Sequence, residues 1–260
     1  MTETKRVGYN MEHRLRILGV LLGIIGVVAV LGGGFGYTQV QAGANALQGF
    51  SVAENVKLSY NDQGQLVDRG STEEAAAILS LLKDTWHWPV AEGDLNPNDP
   101  LVNTGTEYMY QMATIAHHTL TGTTSVVLPA QVLYDGDGTP GMAADAATYT
   151  PETLPQGADY LAILAKDAIY QPGTYTVPTA GRYWTQFNRT HPLDGPAREL
   201  AWSGIVHGLF AELGVGATSF SALQMGQAMA LIAIAFGIAF IITGLGLVWV
   251  AMAKKDPLAA

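Results

Sequence analysis

A glycine-rich turn with two aspartates is the first place in this sequence where spaced side chains could do chemistry. In Asp135-Gly136-Asp137-Gly138, Asp135 and Asp137 alternate with glycine, and alternate carboxylates in such a turn can point at one hard cation such as Ca²⁺. The full calcium-loop pattern is missing, because Pro140 stands where the sharp turn needs glycine and Ala146 where it needs a bidentate glutamate. The pattern favours a plain acidic turn, with a divalent-cation site as the alternative.

Histidines are the second group with metal-binding chemistry. His117 and His118 are adjacent in a pattern that predicts a helix, and adjacent helical residues point about 100° apart, so the two cannot face one ion like an i, i+4 pair. His117 could join Met109 or Met112 in a soft copper site only if other segments converged there. We therefore predict no cofactor and keep His117 as an alternative metal ligand.

The densest polar and aromatic stretch runs from residue 182 to residue 195. Arginine and aromatic residues are over-represented at binding hot spots, and this stretch contains Arg182, Trp184 and Arg189. We expect these three residues to form an interaction surface. The alternative is that Arg182, Arg189 or Arg198 pairs with a nearby carboxylate such as Asp194 or Glu199.

Patterns for catalysis and for nucleic-acid binding are missing. No serine stands in a Gly-x-Ser-x-Gly elbow, and the phosphate-binding glycine patterns are also missing. The chain has no cysteine, which excludes disulfides, thiolate metal sites and cysteine nucleophiles. Its net charge of −9 argues against a nucleic-acid partner. The sequence therefore predicts a protein that is not an enzyme.

Two apolar runs must position these residues. Residues 17–37 and residues 226–253 contain no charged side chain, and each is long enough to cross about 30 Å of hydrocarbon. Basic residues precede the first run and follow the second, so the positive-inside rule places residues 1–16 and 254–260 in the cytoplasm. Residues 38–225 are then extracytoplasmic. A cleaved signal peptide is the alternative for the first run.

Both predicted spans carry small residues four positions apart, a spacing that permits close approach of helices. We expect them to contact partner proteins, although glycine and alanine are common in membrane helices anyway. They are Gly19 and Gly23 in the first span, and Gly226, Ala230, Ala233 and Gly237 in and beside the second. Neither span has an ionisable residue, which disfavours a transporter or a pump.

The segment between the spans is predicted to be one α+β domain. It carries 19 of the 22 acidic and 7 of the 13 basic residues, a net charge of −12. Capping patterns at Ser71 and Thr104 predict helices that start there. Periodicity predicts two further helices over residues 159–170 and 196–214. Weak β structure is expected over residues 45–59, a strand over 125–134, a long loop over 135–157 and a short β pair over 175–187.

The segments DPLVNTGTEYMYQMATIAHHTL and GRYWTQFNRTHPLDGPARELAWSGIVHGLFAELG, with the flanking spans, resemble uncharacterised two-helix membrane proteins of actinobacteria. The resemblance covers most of the chain. It implies a bacterial cell membrane and transfers no catalytic residue, and some similar small proteins are accessory subunits of respiratory supercomplexes.

Together, these observations predict a two-pass membrane protein that serves as an accessory or scaffold subunit of a larger complex. Its partners would be the lipid bilayer and other membrane subunits or a second copy of itself. The alternative is an extracytoplasmic module that binds a small ligand, a glycan or a divalent cation.

Overall fold

The computed structural model of the protein describes residues 3–136, 143 and 145–253. In chain order, the elements are α1 (Glu3–Glu54), β1 (Ser59–Tyr60), β2 (Leu66–Val67), α2 (Thr72–Ser80), α3 (Gly105–Leu120), β3 (Thr123–Leu128), β4 (Val132–Tyr134), β5 (Ala147–Tyr149), α4 (Ala158–Ile163), β6 (Ala168–Tyr170), β7 (Gly173–Pro178), α5 (Asp194–Ala201) and α6 (Gly204–Ala253).

Two compact units divide the chain. One consists of residues 1–54 and 218–260 and is called the helix hairpin below; the other, residues 55–217, is called the interhelical domain. Two helices, Met11–Glu54 and Gly204–Ala253, are long and apolar enough to cross a membrane, with peak mean hydropathies of 2.5 and 2.6. An α+β region lies between them in the chain.

Within the helix hairpin, α1 and α6 pack in opposite directions through glycines that repeat every seven residues. A Cβ atom added to Gly26 would lie 2.5 Å from the carbonyl oxygen of Gly237, and one added to Gly19 would lie 2.5 Å from that of Gly244. The third pair is Gly33 with Ala230. Such close backbone approach needs residues without bulky side chains, and a seven-residue repeat keeps one seam facing the partner helix.

The interhelical domain is built on three small sheets. β3 and β7 pair antiparallel over six residues, β1 and β2 form a short antiparallel hairpin, and β6 lies between antiparallel β4 and parallel β5. Its core contains fully buried tyrosines, Tyr160, Tyr170 and Tyr175, beside Leu193. A core this rich in hydroxyl groups needs internal hydrogen-bond partners.

Both predicted helix starts are confirmed. The Thr104 hydroxyl accepts from the Glu107 amide, and the Glu107 carboxylate accepts from the Thr104 amide at 2.9 Å, a complete capping box. The Ser71 hydroxyl likewise accepts from the Glu74 amide at 3.1 Å. Glu74 does not complete a second box, because its carboxylate contacts His117 instead.

Other local predictions are wrong. Helix α1 continues to Glu54, so the β structure expected over residues 45–59 is limited to an isolated bridge at Lys57 and to Ser59, the first residue of β1. The helix expected over 159–170 ends at Ile163, and residues 168–170 form the central strand of a sheet, with Ala168 and Tyr170 buried. Burial of alternate residues on a strand outweighed the helical spacing there.

Three further differences concern the strands and the last domain helix. The strand expected over 125–134 is split into β3 and β4, and the loop expected over 135–157 contains β5. β7 pairs with β3 and not with residues 182–187. The helix expected over 196–214 is interrupted at Trp202 and Ser203, where the Trp202 indole N–H donates to the carbonyl of Arg182 at 3.0 Å.

Candidate functional site

The segment from Arg182 to Gly195, called the Trp184 loop below, folds around one carboxylate. Both oxygens of Asp194 accept from the Arg182 guanidinium at 2.6 Å, and both side chains are buried. The backbone N–H of Asn188 and the hydroxyl of Tyr160 also donate hydrogen bonds to Asp194, at 2.6 and 3.2 Å. A bidentate, charge-assisted pair with further donors fixes both ends of a loop strongly.

The Arg182 guanidinium also closes the loop onto its own backbone. It donates to the carbonyl oxygens of Pro178 at 3.1 Å and Gln186 at 3.2 Å, and its plane lies 3.9 Å from the centroid of the Phe187 ring. Both terminal nitrogens of this guanidinium are thus hydrogen-bonded within the chain. Arg182, predicted from the sequence as a surface residue, is therefore a buried structural residue, and the alternative of a pair with Asp194 is confirmed.

The buried ring of His191 also holds the Trp184 loop through hydrogen bonds. Its Nδ1 accepts from the amides of Leu193 and Asp194, each at 3.2 Å, and its Nε2 lies 2.8 Å from the hydroxyl of Tyr170. Since Nδ1 accepts, Nε2 carries the proton and donates to Tyr170. Burial lowers the pKa of His191 to about 4. A neutral histidine with both nitrogens engaged and 1% exposure positions the loop and does not serve as a base.

The surface of the Trp184 loop presents an aromatic ring between arginines. The guanidinium carbons of Arg189 and Arg198 lie 4.8 and 4.7 Å from the centroid of the Trp184 ring, within cation–π range. Arg198 forms an ion pair with Glu199, as the sequence alternative proposed. Arg189 is exposed, and no ion pair of Arg189 with a described residue is seen. Its donors therefore face solvent while the ring contact orients its plane.

Further aromatic side chains surround this ring. Trp184 contacts His207 edge-on at 5.4 Å, and the rings of Tyr183 and Trp202 stack at 5.8 Å. Tyr183 accepts a hydrogen bond from the indole of Trp86 at 3.0 Å. These aromatic side chains form one connected cluster, in which Trp202 is buried. Half-buried Trp184 and exposed Arg189 lie on its outer side, which is called the Trp184 surface below.

The two predicted metal ligands that the structure describes, His117 and Asp135, are not brought together in one metal-binding group. His117 lies 2.7 Å from Glu74, and His118 lies 3.0 Å from Asp68, so each histidine has its own carboxylate. Asp135 is exposed, and Asp137 lies outside the described residues. Within the described ranges, no three His, Asp or Glu side chains are arranged to hold a metal ion.

A carboxylate that sequence reasoning missed holds the Asp135 turn. Asp167 accepts from the Gly136 amide at 3.0 Å and from the Ala143 amide at 2.7 Å. A pocket of about 460 Å³ lies beside it, lined in part by Asp145, Tyr149 and Lys166. Asp167 thus joins the turn at Asp135 to the segment between α4 and β6. No local sequence pattern predicts a contact between residues so far apart in the chain.

Among the small residues predicted to face partners, several pack within the chain. Gly19, Ala230 and Gly237 lie in the glycine seam of the helix hairpin, and a Cβ at Gly226 would approach Val40 to 2.9 Å. A Cβ at Gly23 would meet no atom within 4 Å, and Ala233 is half-buried. Contact of any of them with a second protein stays a prediction.

Comparisons of the chain with protein-family models, with curated proteins and with solved structures gave no match.

Proposed function

We propose that this chain is a non-catalytic integral membrane protein that serves as an accessory or scaffold subunit of a larger cell-membrane complex, such as a respiratory complex. Two features support the proposal: the length of uncharged helix and the apolar side chains on its outer surface.

The uncharged length of the two helices is the observation that carries the proposal. No charged residue or histidine occurs from Ile17 to Ala53 or from Leu213 to Ala253, which are 37 and 41 residues of continuous helix. At 1.5 Å per residue these stretches are about 55 and 60 Å long. A bilayer is about 40–45 Å thick with its headgroups, so about 10–20 Å of uncharged helix extends beyond it.

Apolar side chains point outward on this part of the helix hairpin. Phe50 and Val52 near the end of α1 are 44% and 58% exposed, and Met225 in α6 is 66% exposed. The glycine seam is occupied by the chain's own helices, so these outward positions are the ones open to another subunit. Exposed apolar side chains without charges between them are typical of a surface that a partner covers.

The proposed topology follows from the flanking charges. Arg14 and Arg16 precede the uncharged part of α1, and Lys254 and Lys255 follow α6 in the sequence. By the positive-inside rule both ends are cytoplasmic and the acidic interhelical domain is extracytoplasmic. Tagging each end and each domain loop for accessibility in sealed vesicles tests this arrangement.

The experiment for the accessory role is affinity purification of the tagged protein from its own membranes in a mild detergent, followed by mass spectrometry. We expect a stoichiometric membrane partner that is lost on Phe50→Glu and Met225→Glu but kept on Phe50→Leu and Met225→Leu. The leucine variants control for side-chain loss, and the amount of each variant in the membrane fraction controls for insertion. A monomer without partners in mild detergent contradicts the proposal.

A ligand-binding role for the interhelical domain is the second candidate, and the Trp184 surface favours it. An exposed arginine whose plane is fixed on an aromatic ring is well oriented for a carboxylate, of the kind that acidic glycans carry. The candidate predicts a thermal shift with uronic-acid oligosaccharides that is lost on Arg189→Ala and kept on Arg69→Ala, which also removes an exposed arginine. The same assay tests divalent cations, the other ligand class that the sequence suggested.

A further inference from the structure

Three buried oxygen atoms of the interhelical domain have no hydrogen-bond partner among the residues that the structure describes. They are the hydroxyls of Tyr60 and Tyr110 and the Oδ2 atom of Asp68. Tyr60 belongs to β1, Asp68 follows β2, and Tyr110 belongs to α3. Tyr110 is 3% exposed. A buried hydroxyl or carboxylate oxygen that makes no hydrogen bond is costly, so three in one region require an explanation.

The three groups lie in one part of the domain. Tyr60 pairs with Leu66 across the β1–β2 hairpin, which puts Tyr60 and Asp68 on the same face of it, and Asp68 contacts His118 of α3, the helix that carries Tyr110. Burial raises the pKa of Tyr110, and the negative charge of Asp68 and the nearby Tyr60 raise it further. On its other side, Asp68 Oδ2 lies 3.0 Å from His118 Nε2, but the two atoms are not aligned as a hydrogen bond. Thr114, also close to Tyr110, donates its own hydrogen to the Tyr110 carbonyl oxygen at 3.0 Å. None of the described residues makes an aligned hydrogen bond to these three oxygens.

The chemistry of the set points to a small molecule that both donates and accepts hydrogen bonds. Each tyrosine hydroxyl can donate one hydrogen, and the carboxylate oxygen can only accept. Water bound inside proteins makes about three such bonds to buried polar groups that protein atoms leave unpaired. We propose that Tyr60, Asp68 and Tyr110 form an internal water-binding site.

The position of this site gives it a structural role. A bound water would accept from a tyrosine hydroxyl and donate to Asp68, and so join the β1–β2 hairpin to α3. The hairpin buries little apolar surface of its own, since Val67 is its one buried residue, and a two-stranded hairpin is marginal by itself. Hydrogen bonds through water thus hold the first segment of the interhelical domain, just after the end of α1 in the chain.

The sign of a stability change tests the proposal. If the hydroxyls bind water, Tyr60→Phe and Tyr110→Phe each lower the Tm of the full-length protein, by about 2–4 °C for a loss near 1 kcal/mol in a domain of this size. The double variant lowers the Tm by less than the sum, because both hydroxyls bind the same water. If the hydroxyls are dry and unpaired, phenylalanine raises the Tm, and an unchanged or raised Tm overturns the proposal.

Tyr134→Phe is the matched control for the direction of the effect. Its hydroxyl donates to the Leu164 carbonyl oxygen at 3.0 Å and accepts from Asn188 at 2.9 Å, so its loss must lower the Tm whether or not water is present.

A second measurement detects the water itself. X-ray radiolysis in H₂¹⁸O labels side chains beside bound water even when they are buried. We expect Tyr110 to be labelled and Tyr160, which is fully buried and bonded directly to Asp194, to stay unlabelled. Absence of label at Tyr110 overturns the proposal. So does a Tm that rises and saturates with Na⁺, K⁺ or NH₄⁺ but not with choline, because that result assigns the site to a cation.

Discussion

The helix hairpin and the interhelical domain differ in the interactions that stabilise each of them internally. In the hairpin, backbones approach closely because Gly19, Gly26 and Gly33 have no side chains at the seam. In the interhelical domain, the Arg182–Asp194 pair is sealed inside a tyrosine-rich core. In lipid, the hydrophobic effect does not drive apolar side chains together, so membrane helices associate through close packing. A domain in water buries its apolar side chains and must then satisfy the polar groups buried with them.

The two units should therefore lose stability through different changes. The stability of the hairpin should fall when side-chain volume is added and should not depend on pH. The stability of the interhelical domain should fall when single polar atoms are lost and should depend on protonation.

The largest effect is expected at the carboxylate under the Trp184 loop. Asp194→Asn leaves the Arg182 guanidinium buried without its charge partner, which costs roughly 3–5 kcal/mol of the free energy of unfolding. Denaturant unfolding of the full-length protein in detergent, followed by tryptophan fluorescence, measures it, since Trp86, Trp88, Trp184 and Trp202 all belong to the interhelical domain.

Glu199→Gln is the matched control for that change. Glu199 also pairs with an arginine, Arg198, but its side chain is 62% exposed, and exposed pairs contribute about 0–1 kcal/mol. Equal losses for the two carboxylates would contradict the role of the buried pair.

The second effect is a dependence of stability on pH through His191. Its pKa in the folded protein is about 4, below the ordinary 6.5, so the unfolded chain takes up the proton first. The free energy of unfolding therefore falls as the pH is lowered from 6.5 to 4, by up to roughly 3 kcal/mol. Above pH 6.5 this contribution is fully present.

His191→Gln should flatten the pH dependence in that window, whereas His207→Gln, which changes an exposed histidine, should leave it as it is. Burial raises the pKa of the Glu107 carboxyl, so that group changes stability with the opposite sign. The difference between variant and wild type isolates His191, and identical profiles for the two would refute its assignment as a buried neutral residue.

The third effect tests volume in the hairpin. Gly26→Ala places a Cβ atom 2.5 Å from the Gly237 carbonyl oxygen, so the helices must separate, at a cost of about 1–3 kcal/mol. Gly32→Ala is the control, because a Cβ there meets no atom within 4 Å. Unfolding in mixed micelles followed by helical circular dichroism compares them, and equal behaviour would count against the glycine seam.

The smallest effect is expected at Arg189. Arg189→Ala removes one exposed cation–π contact, which contributes about 0.5–1 kcal/mol to stability. Tryptophan-detected unfolding should therefore shift little. A loss above about 2 kcal/mol would mean that Arg189 stabilises the fold as Arg182 does. Its guanidinium would then not be available to bind a ligand at the Trp184 surface.

Local patterns in the sequence were sufficient where a few neighbouring residues decide the structure. The Thr104–Glu107 capping box and the two apolar helices are such cases. The seven-residue repeat of Gly19, Gly26 and Gly33 is also visible in the sequence, but the four-residue spacing of Gly19 and Gly23 predicts a different contact face. Only a structure shows which side of a helix meets its neighbour.

Contacts between distant residues could not be predicted in the same way. Asp167 holds the Gly136 amide from 31 residues away, and Tyr170 meets His191 from 21 residues away. Residues 168–170 have helical spacing, yet the β4–β6–β5 sheet turns them into a strand. In each case tertiary burial, which has no local signature, decided the outcome.

The proposed accessory role requires that α1 and α6 form a self-contained pair whose outer surface is left for another subunit. The chain has no cysteine, so a cysteine pair can be introduced without background. A Cβ at Gly36 lies 3.9 Å from the Cβ of Ala230, within the range of a disulfide. In oxidised native membranes, Gly36→Cys/Ala230→Cys should form an intramolecular disulfide, and Gly32→Cys/Ala230→Cys should not. Disulfide-linked dimers of Gly36→Cys/Ala230→Cys, or no bond at all, would contradict the claim.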